Sequence, residues 1–459
     1  MINFTKVDRI VPNKRDVMER IKDYDEVYEV FEVQKAREQA ERCIQCGDPY
    51  CHSKCPLHNI IPAWLKQTAT KDLELAFNIS NETSPFPEIL GRICPQDVLC
   101  EGDCTLNETH GAITIGSIET HISEKGFEAG LKPKFPKKKA GKKVAIIGSG
   151  PAGISVATYL LRKGINVEIF ERASRAGGLL TYGIPGFKLD KSVIQRRIDF
   201  LVEAGAKLHL NCEIGKDKKF EDLEKKFDAI FIGIGATKGK GANLEGEDSL
   251  NVHLSMEFLT SIQKRNFKEK DNKFINVKDK RVVVIGGGDT AMDCVRTAVR
   301  EGACSVKCLY RRDKANMPGS KKEVQNAKEE GVDFVFNVSP KSIVTNSGVL
   351  ATSVVLEKTK LSKPDKDGRQ KLQIIKDSQY NEDVDVVILA LGFDQELPEF
   401  IKNSGLELDQ WNGIKTDDKH QTSNPKIYAG GDGVRGADLA VRAAADGKNA
   451  ALAISEALK

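Results

Sequence analysis

Short β-branched apolar runs alternate with helical stretches only in the later part of the chain. KVAII (143–147) is one such run; glycines, a helical pattern and a second run, NVEIF (166–170), follow it. The same order returns at RVVVI (281–285) and closes on SVKCLY (305–310). A third short run, KIY, leads into a glycine cluster that opens at Tyr428 and precedes a terminal helical pattern. Strand–glycine–helix–strand units of this kind build parallel sheets, and two of them predict two dinucleotide-binding domains. Earlier the texture differs. Residues 15–42 and 60–80 are rich in charge and helix formers, and Pro49, Pro56, Pro85, Pro87 and Pro95 punctuate the chain. Residues 1–125 therefore read as short helices and loops. The basic stretch 131–143 reads as a solvated linker without a binding role.

At 459 residues the chain is too long for one ordinary domain. A hydrophobic share of 40% and a charged share of 30% suit a globular protein with a sizeable core. The formal net charge of +4 gives no argument for a nucleic acid or a membrane surface. No apolar run approaches the ~18 residues of a spanning helix. The first twenty residues hold no apolar signal region, so a cytoplasmic location with reduced thiols is expected.

Seven of the 11 cysteines lie between residues 43 and 104: Cys43, Cys46, Cys51, Cys55, Cys94, Cys100 and Cys104. An odd thiol cluster in a reducing compartment argues for metal over disulfides. Zinc sites prefer paired C-x2–4-C knuckles, and no eighth thiol is at hand. A Cys-Pro after a closely spaced run instead resembles iron–sulfur ligation. On spacing alone zinc stays open; the downstream dinucleotide motifs favour iron–sulfur. Seven thiolates supply two four-iron clusters less one ligand. An oxygen donor is expected there, with Glu119 the candidate and His110, His121 and Gln96 the alternatives.

Gly148, Gly150 and Gly153 form a G-x-G-x-x-G motif, with Pro151 and Ala152 opening a helix. Glu171 lies 21 residues after Gly150, at the end of the next strand. Gly148 suits a tight turn, Gly150 a close approach to pyrophosphate, and Gly153 helix–strand packing, while Glu171 can accept from a ribose. Gly177-Gly178-Leu179 and the Ile-Pro turn after it resemble the FAD domains of flavoprotein disulfide reductases. So does Ala-Gly-Gly-Asp ending at Asp432. In the second motif Gly286, Gly288 and Ala291 take the small positions. No acid ends the following strand; Arg311 and Arg312 stand there, which favours the 2′-phosphate of NADPH over NADH. Cys294 is expected in a helix, Cys304 and Cys308 flanking a strand, and Cys212 in a strand. No C-x-x-C falls in the FAD domain, which argues against a disulfide reductase. The seven histidines suggest no triad.

The predicted fold is α/β with an N-terminal α-helical iron–sulfur domain and two Rossmann-like domains, the NADPH domain inserted in the FAD domain. The expected parts are residues 1–140 (iron–sulfur domain and linker), 141–245 (FAD, first part), 246–392 (NADPH) and 393–459 (FAD, second part).

From near residue 20 to the end the chain resembles the glutamate synthase small-subunit family. The likeness is carried by CGDPYCHSKCPLHNIIPAWLK, GRICPQDVLCEGDCTLNETHGAITIGSIE, GGLLTYGIPGFKLDK, the MPGS loop (317–320) and QTSNPKIYAGGDGVRGADLAV. A wider group includes the N-terminal part of dihydropyrimidine dehydrogenase. The resemblance implies that Cys43, Cys46, Cys51 and Cys104 hold one [4Fe-4S] cluster and Cys55, Cys94 and Cys100 another. It implies a non-cysteine eighth ligand near Glu119 and Thr120; dihydropyrimidine dehydrogenase has glutamine where this chain has Thr120. For FAD it adds Arg172, Gly178, Leu179, Lys188, Ile214, Gly431, Asp432, Asp438 and Leu439. For NADPH it adds Asp289, Thr290 and Gly392. It further implies hydride transfer from NADPH to FAD and electron delivery through the clusters to a large subunit. That subunit would make glutamate from glutamine and 2-oxoglutarate. Such chemistry is borne by cofactors, so no catalytic acid or base is expected. The alternatives are service to another acceptor, a ferredoxin or a pyrimidine-reducing partner, and a non-catalytic protein with structural zinc.

Overall fold

In the computed structural model, which describes residues 2–138, 140–270, 273–366, 370–395 and 397–459, KVAII is the strand Lys143–Ile147. Its last four residues are buried, since a parallel sheet is covered on both faces. The first sheet runs, edge to edge, Ile427–Ala429, Ala229–Ile232, Lys143–Ile147, Asn166–Phe170 and Lys207–His209, all parallel. One edge strand therefore comes from the far end of the chain. The second sheet runs Val252–Leu254, Val386–Leu389, Arg281–Ile285, Ser305–Tyr310 and Asp333–Phe336, again parallel and in the corresponding order. A small antiparallel sheet within residues 338–383 extends this inserted unit.

The two crossings between the units pair with each other. Lys238–Gly239 and Phe393–Asp394 form a two-stranded antiparallel ribbon. Ala242 and Leu244, just beyond the ribbon, already pack in the inserted unit. The helices Pro151–Arg162 and Ala440–Ala457 pack against each other over the first sheet.

Eight α-helices and one short 3-10 helix within residues 17–128 make the N-terminal part around Phe31, the fully buried Trp64, Phe77 and Ile118. This part does not stand apart. Leu57, Phe86, Ile89 and Leu90 join the core of the first sheet, and Glu88 pairs with Arg197 at 2.6 Å, both side chains fully buried. Burying two charges is tolerable only when they are paired and hydrogen-bonded, as here.

An arm also reaches the inserted unit. Arg20, on the helix Val17–Arg20, meets Glu330 at 3.0 Å and Glu329 at 2.9 Å. Glu330 also takes Arg296 and Arg300, whose guanidinium groups lie 4.3 and 4.0 Å from the ring centre of Phe187. One buried charge cluster thus ties together three stretches of chain.

Three local expectations need correction. The stretch 131–143 is not fully solvated: Pro133 is buried and Phe135 packs on the first core, while residue 139 lies outside the described residues. Cys212 follows the strand Lys207–His209 in a loop, because the chain turns there toward Ile214. Cys308 lies inside the strand Ser305–Tyr310, and only Cys304 flanks it. Cys294 is helical, as expected.

Candidate functional site

A cavity of about 1600 Å³ opens between the two dinucleotide units. The first glycine turn forms its floor. Gly148 has φ of +94°, and a Cβ there would sit 2.4 Å from the Gly233 carbonyl oxygen, so no other residue fits. Gly150 caps the helix Pro151–Arg162, with nothing within 4 Å of where its Cβ would stand. That open space at a helix N-terminus suits a phosphate. Gly153 packs beneath the turn, its would-be Cβ 2.0 Å from the Gly148 carbonyl oxygen.

Glu171 braces this turn as well as facing the cavity. Its Oε2 accepts from Ser149 N at 3.0 Å and Ser149 Oγ at 2.5 Å; Oε1 accepts from Ala173 N at 2.9 Å. On the opposite side, Gly431 N donates to Asp446 at 2.8 Å, and Arg435 pairs with the same carboxylate. Burial pushes the Asp432 carboxyl up to about 7.

The cavity brings together most residues singled out for FAD: Gly148, Gly150, Pro151, Ala152, Glu171, Arg172, Gly178, Leu179, Lys188, Ile214, Gly431, Asp432, Asp438 and Leu439 line it. Asp289 and Thr290 of the second motif line it too. Gly286, Gly288, Ala291, Arg311, Arg312 and Gly392 do not. Gly288 caps the helix Asp289–Arg300 and faces open space. The MPGS loop holds this second turn: Gly319 N donates to the Gly287 carbonyl and Ser320 N to Asp289 Oδ1, both at 2.9 Å. Arg311 is exposed, and the half-buried Arg312 has an Nε without a hydrogen-bond partner among the described residues. Gly392 belongs to the crossing, where its carbonyl accepts from Lys240 N at 3.0 Å.

Two cavity features carried no sequence signal. Asp293 lines the wall and pairs with Lys188 across the two units at 2.9 Å. Glu269, from the inserted unit, accepts from Ser174 Oγ at 2.8 Å and Tyr182 Oη at 3.3 Å. Both contacts span about 90 residues or more of sequence, beyond any local pattern.

The seven clustered cysteines are free thiols and segregate into two groups. Cys51 is pushed up to about 12 by burial and by its neighbours Cys104, Cys43 and Cys46. Burial raises Cys94 well above the usual thiol range, with Cys55 and Glu119 as neighbours that raise it further. Cys55, Cys94, Cys100, Gln96 and Glu119 line one small cavity. Of the alternatives to Glu119, His121 Nδ1 lies 2.6 Å from the Phe31 carbonyl, and His110 stacks edge-on against Phe4. Gln96 donates to the Gly91 carbonyl at 2.9 Å, and Thr120 Oγ1 donates to the Gly116 carbonyl at 3.0 Å. Glu119 is buried, and burial pushes its carboxyl up to about 8.

Residues 142–447 match the sequence model of the pyridine nucleotide-disulphide oxidoreductase family, and residues 20–131 that of dihydropyrimidine dehydrogenase domain II, 4Fe-4S cluster. The chain is 46% identical to the glutamate synthase [NADPH] small chain of Escherichia coli (strain K12), over 98% of this chain and 97% of that one. It is 44% identical to the putative oxidoreductase AegA of the same organism, over 96% of this chain and 69% of AegA. Among solved structures, Mycobacterium tuberculosis FprA in complex with NADPH superposes with a TM-score of 0.58 at 19% identity, over 69% of this chain and 85% of that one. That likeness concerns the fold. No helix among the described residues is long and apolar enough to cross a membrane.

Proposed function

Because the chain belongs to the family of glutamate synthase [NADPH] small chains and is an NADPH-dependent oxidoreductase, we propose that it is the electron-input subunit of a glutamate synthase. It would oxidise NADPH and pass electrons through FAD and two [4Fe-4S] clusters to a large subunit, which makes glutamate from glutamine and 2-oxoglutarate. The observation that carries this reading is the position of Cys94. Ile93 and Pro95, its two neighbours, line the large cavity, while Cys94 itself lines the small thiol cavity. The last helix bridges the same wall: Leu439, Ala440 and Ala443 face the large cavity and Val441 the small one. A flavin site and a cluster site would share one layer of side chains.

The donor sets fit the groups they would hold. Gly150 and the N-terminus of the helix Pro151–Arg162 would take the FAD pyrophosphate, with Glu171 at the ribose. Arg311 and Arg312 would take the NADPH 2′-phosphate as charge-assisted donors. Cys43, Cys46, Cys51 and Cys104 would hold one cluster; Cys55, Cys94, Cys100 and Glu119 would hold the other. FAD supplies the conversion of a two-electron donor into single electrons that iron–sulfur clusters carry. The chain's own work is to bind, orient and exclude water: Lys188 and Asp293 hold the two units face to face at the cavity, and no side-chain proton transfer is needed.

The 44% identity to AegA favours a second reading, in which the same half-reaction serves another acceptor. NADPH-dependent dye reduction, paired with a count of one FAD and about eight iron atoms per chain, tests the shared half-reaction. Co-purification with a larger glutamate-forming chain tests the acceptor. A colourless, zinc-loaded protein would end both readings.

A further inference from the structure

Glu119 is gripped from one side only. Its Oε1 accepts from Asn59 Nδ2 at 2.7 Å, both groups buried, and no hydrogen bond engages its Oε2 among the described residues. Asn59 has no freedom to turn its amide around. Its Oδ1 accepts from Trp64 Nε1 at 3.1 Å and from Thr83 Oγ1 at 2.9 Å. An indole N–H can only donate, so the amide oxygen must face Trp64, and the NH2 group is left to face Glu119. Asn59 is 4% exposed and Trp64 fully buried, so water does not compete for these bonds.

The same residue touches a second member of the thiol cavity. Asn59 lies four residues after Cys55 in CPLHN, and its backbone amide sits beside the Cys55 sulfur. The Asn59 carbonyl is itself held by His52 Nδ1 at 3.1 Å. Cys55, Asn59 and Glu119 all line that cavity. Asn59 therefore lies beside a thiol with its backbone and grips a carboxylate with its side chain, and it leaves the other carboxylate oxygen without a hydrogen bond, among the described residues, at the cavity that Cys55, Cys94 and Cys100 also line.

We infer that Asn59 is the positioning residue that fixes Glu119 as a one-oxygen ligand of the cluster held by Cys55, Cys94 and Cys100. This rests on the reading of Glu119 as that cluster's eighth ligand. A neutral amide donor suits the task. It holds one carboxylate oxygen without neutralising the charge the iron needs, whereas a lysine or arginine would compete with the metal. Outer partners of metal ligands typically carry about 10- to 100-fold in metal affinity.

The test uses the full chain with its cofactors, and three variants. Asn59→Asp keeps the acceptor facing Trp64 and Thr83 but turns an oxygen toward Glu119. Asn59→Ser removes the reach to Glu119 together with the acceptor for Trp64 and Thr83, and carries the test where the aspartate variant does not fold. Glu119→Ala tests the ligand itself. The readouts are the electron paramagnetic resonance spectrum and midpoint potential of each cluster, and the rate of iron loss to a chelator. FAD content serves as the control for folding. The expected result is an altered spectrum in Glu119→Ala, with a shifted potential of that same cluster and at least about tenfold faster iron loss in the Asn59 variants. The other cluster and the FAD content stay unchanged. If Glu119→Ala alters the cluster but the Asn59 variants keep its potential and iron-loss rate, the positioning role is overturned and the ligand reading survives. A lower melting temperature with an unmoved potential overturns the positioning role too, since packing alone would then explain Asn59. If Glu119→Ala leaves both clusters as they were, the ligand reading fails and this inference fails with it.

Discussion

Lys188 and Asp293 form an ion pair at 2.9 Å although they belong to different dinucleotide-binding units, and both line the cavity between those units. Lys188 is buried beside Asp293, Glu323 and Asp289, which together hold its ammonium charged well above the ordinary lysine range. Asp293→Ala leaves a buried cation short of its nearest partner. The expected cost is about 3 kcal/mol, read as a lower melting temperature of the FAD-loaded protein. Flavin reduction by NADPH should slow as well, at unchanged FAD content, because the two units lose a contact at their meeting face.

Glu330 gives a pH dependence with a definite sign. Arg296 and Arg300 hold its carboxyl down to about 2, against 4.5 as the ordinary value. The unfolded chain therefore binds a proton more readily than the folded one between those two values. Stability from this group is complete above pH ~4.5 and drains away as the pH falls toward ~2. Urea unfolding at pH 7 and pH 3.5 should show it. Glu330→Gln should flatten the difference between the two pH values and destabilise the protein at pH 7 by about 3–5 kcal/mol, since it strands buried arginines.

Arg311 and Arg312 are the proposed discriminators of NADPH from NADH. Replacing either by alanine removes charge-assisted hydrogen bonds worth about 1.5–3 kcal/mol. The KM for NADPH should rise about tenfold or more, with the KM for NADH nearly constant. Equal rises for both would sink the 2′-phosphate assignment.

Gly447 lies where the helix Ala440–Ala457 crosses the helix Pro151–Arg162. A Cβ there would fall 2.3 Å from the Ala152 carbonyl oxygen, a backbone atom that cannot swing aside. Gly447→Ala should push the two helices apart at a cost of about 1–3 kcal/mol. Because Ala152 and Leu439 also line the large cavity, FAD should be lost on dilution. Retention of FAD by this variant on gel filtration would contradict the packing argument.

The glycine turns were legible because backbone geometry admits so few residues there, as at Gly148. The central strands were legible because a parallel sheet buried on both faces demands unbroken apolar runs such as VVVI. The thiols were legible by their density, and Glu119, singled out beside them, lines one cavity with Cys55, Cys94 and Cys100. Asn59 and Asp293 were not: each acquires its role from a partner 60 or more residues away. The arm was hidden for the same reason. Arg20 and Glu330 are 310 residues apart, and nothing local distinguishes either from a solvated charge.

The first sheet takes its edge strand, Ile427–Ala429, from beyond the whole inserted unit. This sets an order of events during synthesis. As the chain leaves the ribosome, four strands of the first sheet emerge early and wait with one edge bare while the inserted unit is made. The inserted unit has all five of its strands by Leu389 and can close first. The parent sheet cannot, and the last helix that walls the flavin site comes later still. A nascent chain stalled before residue 427 should therefore bind no FAD, however complete its glycine motif.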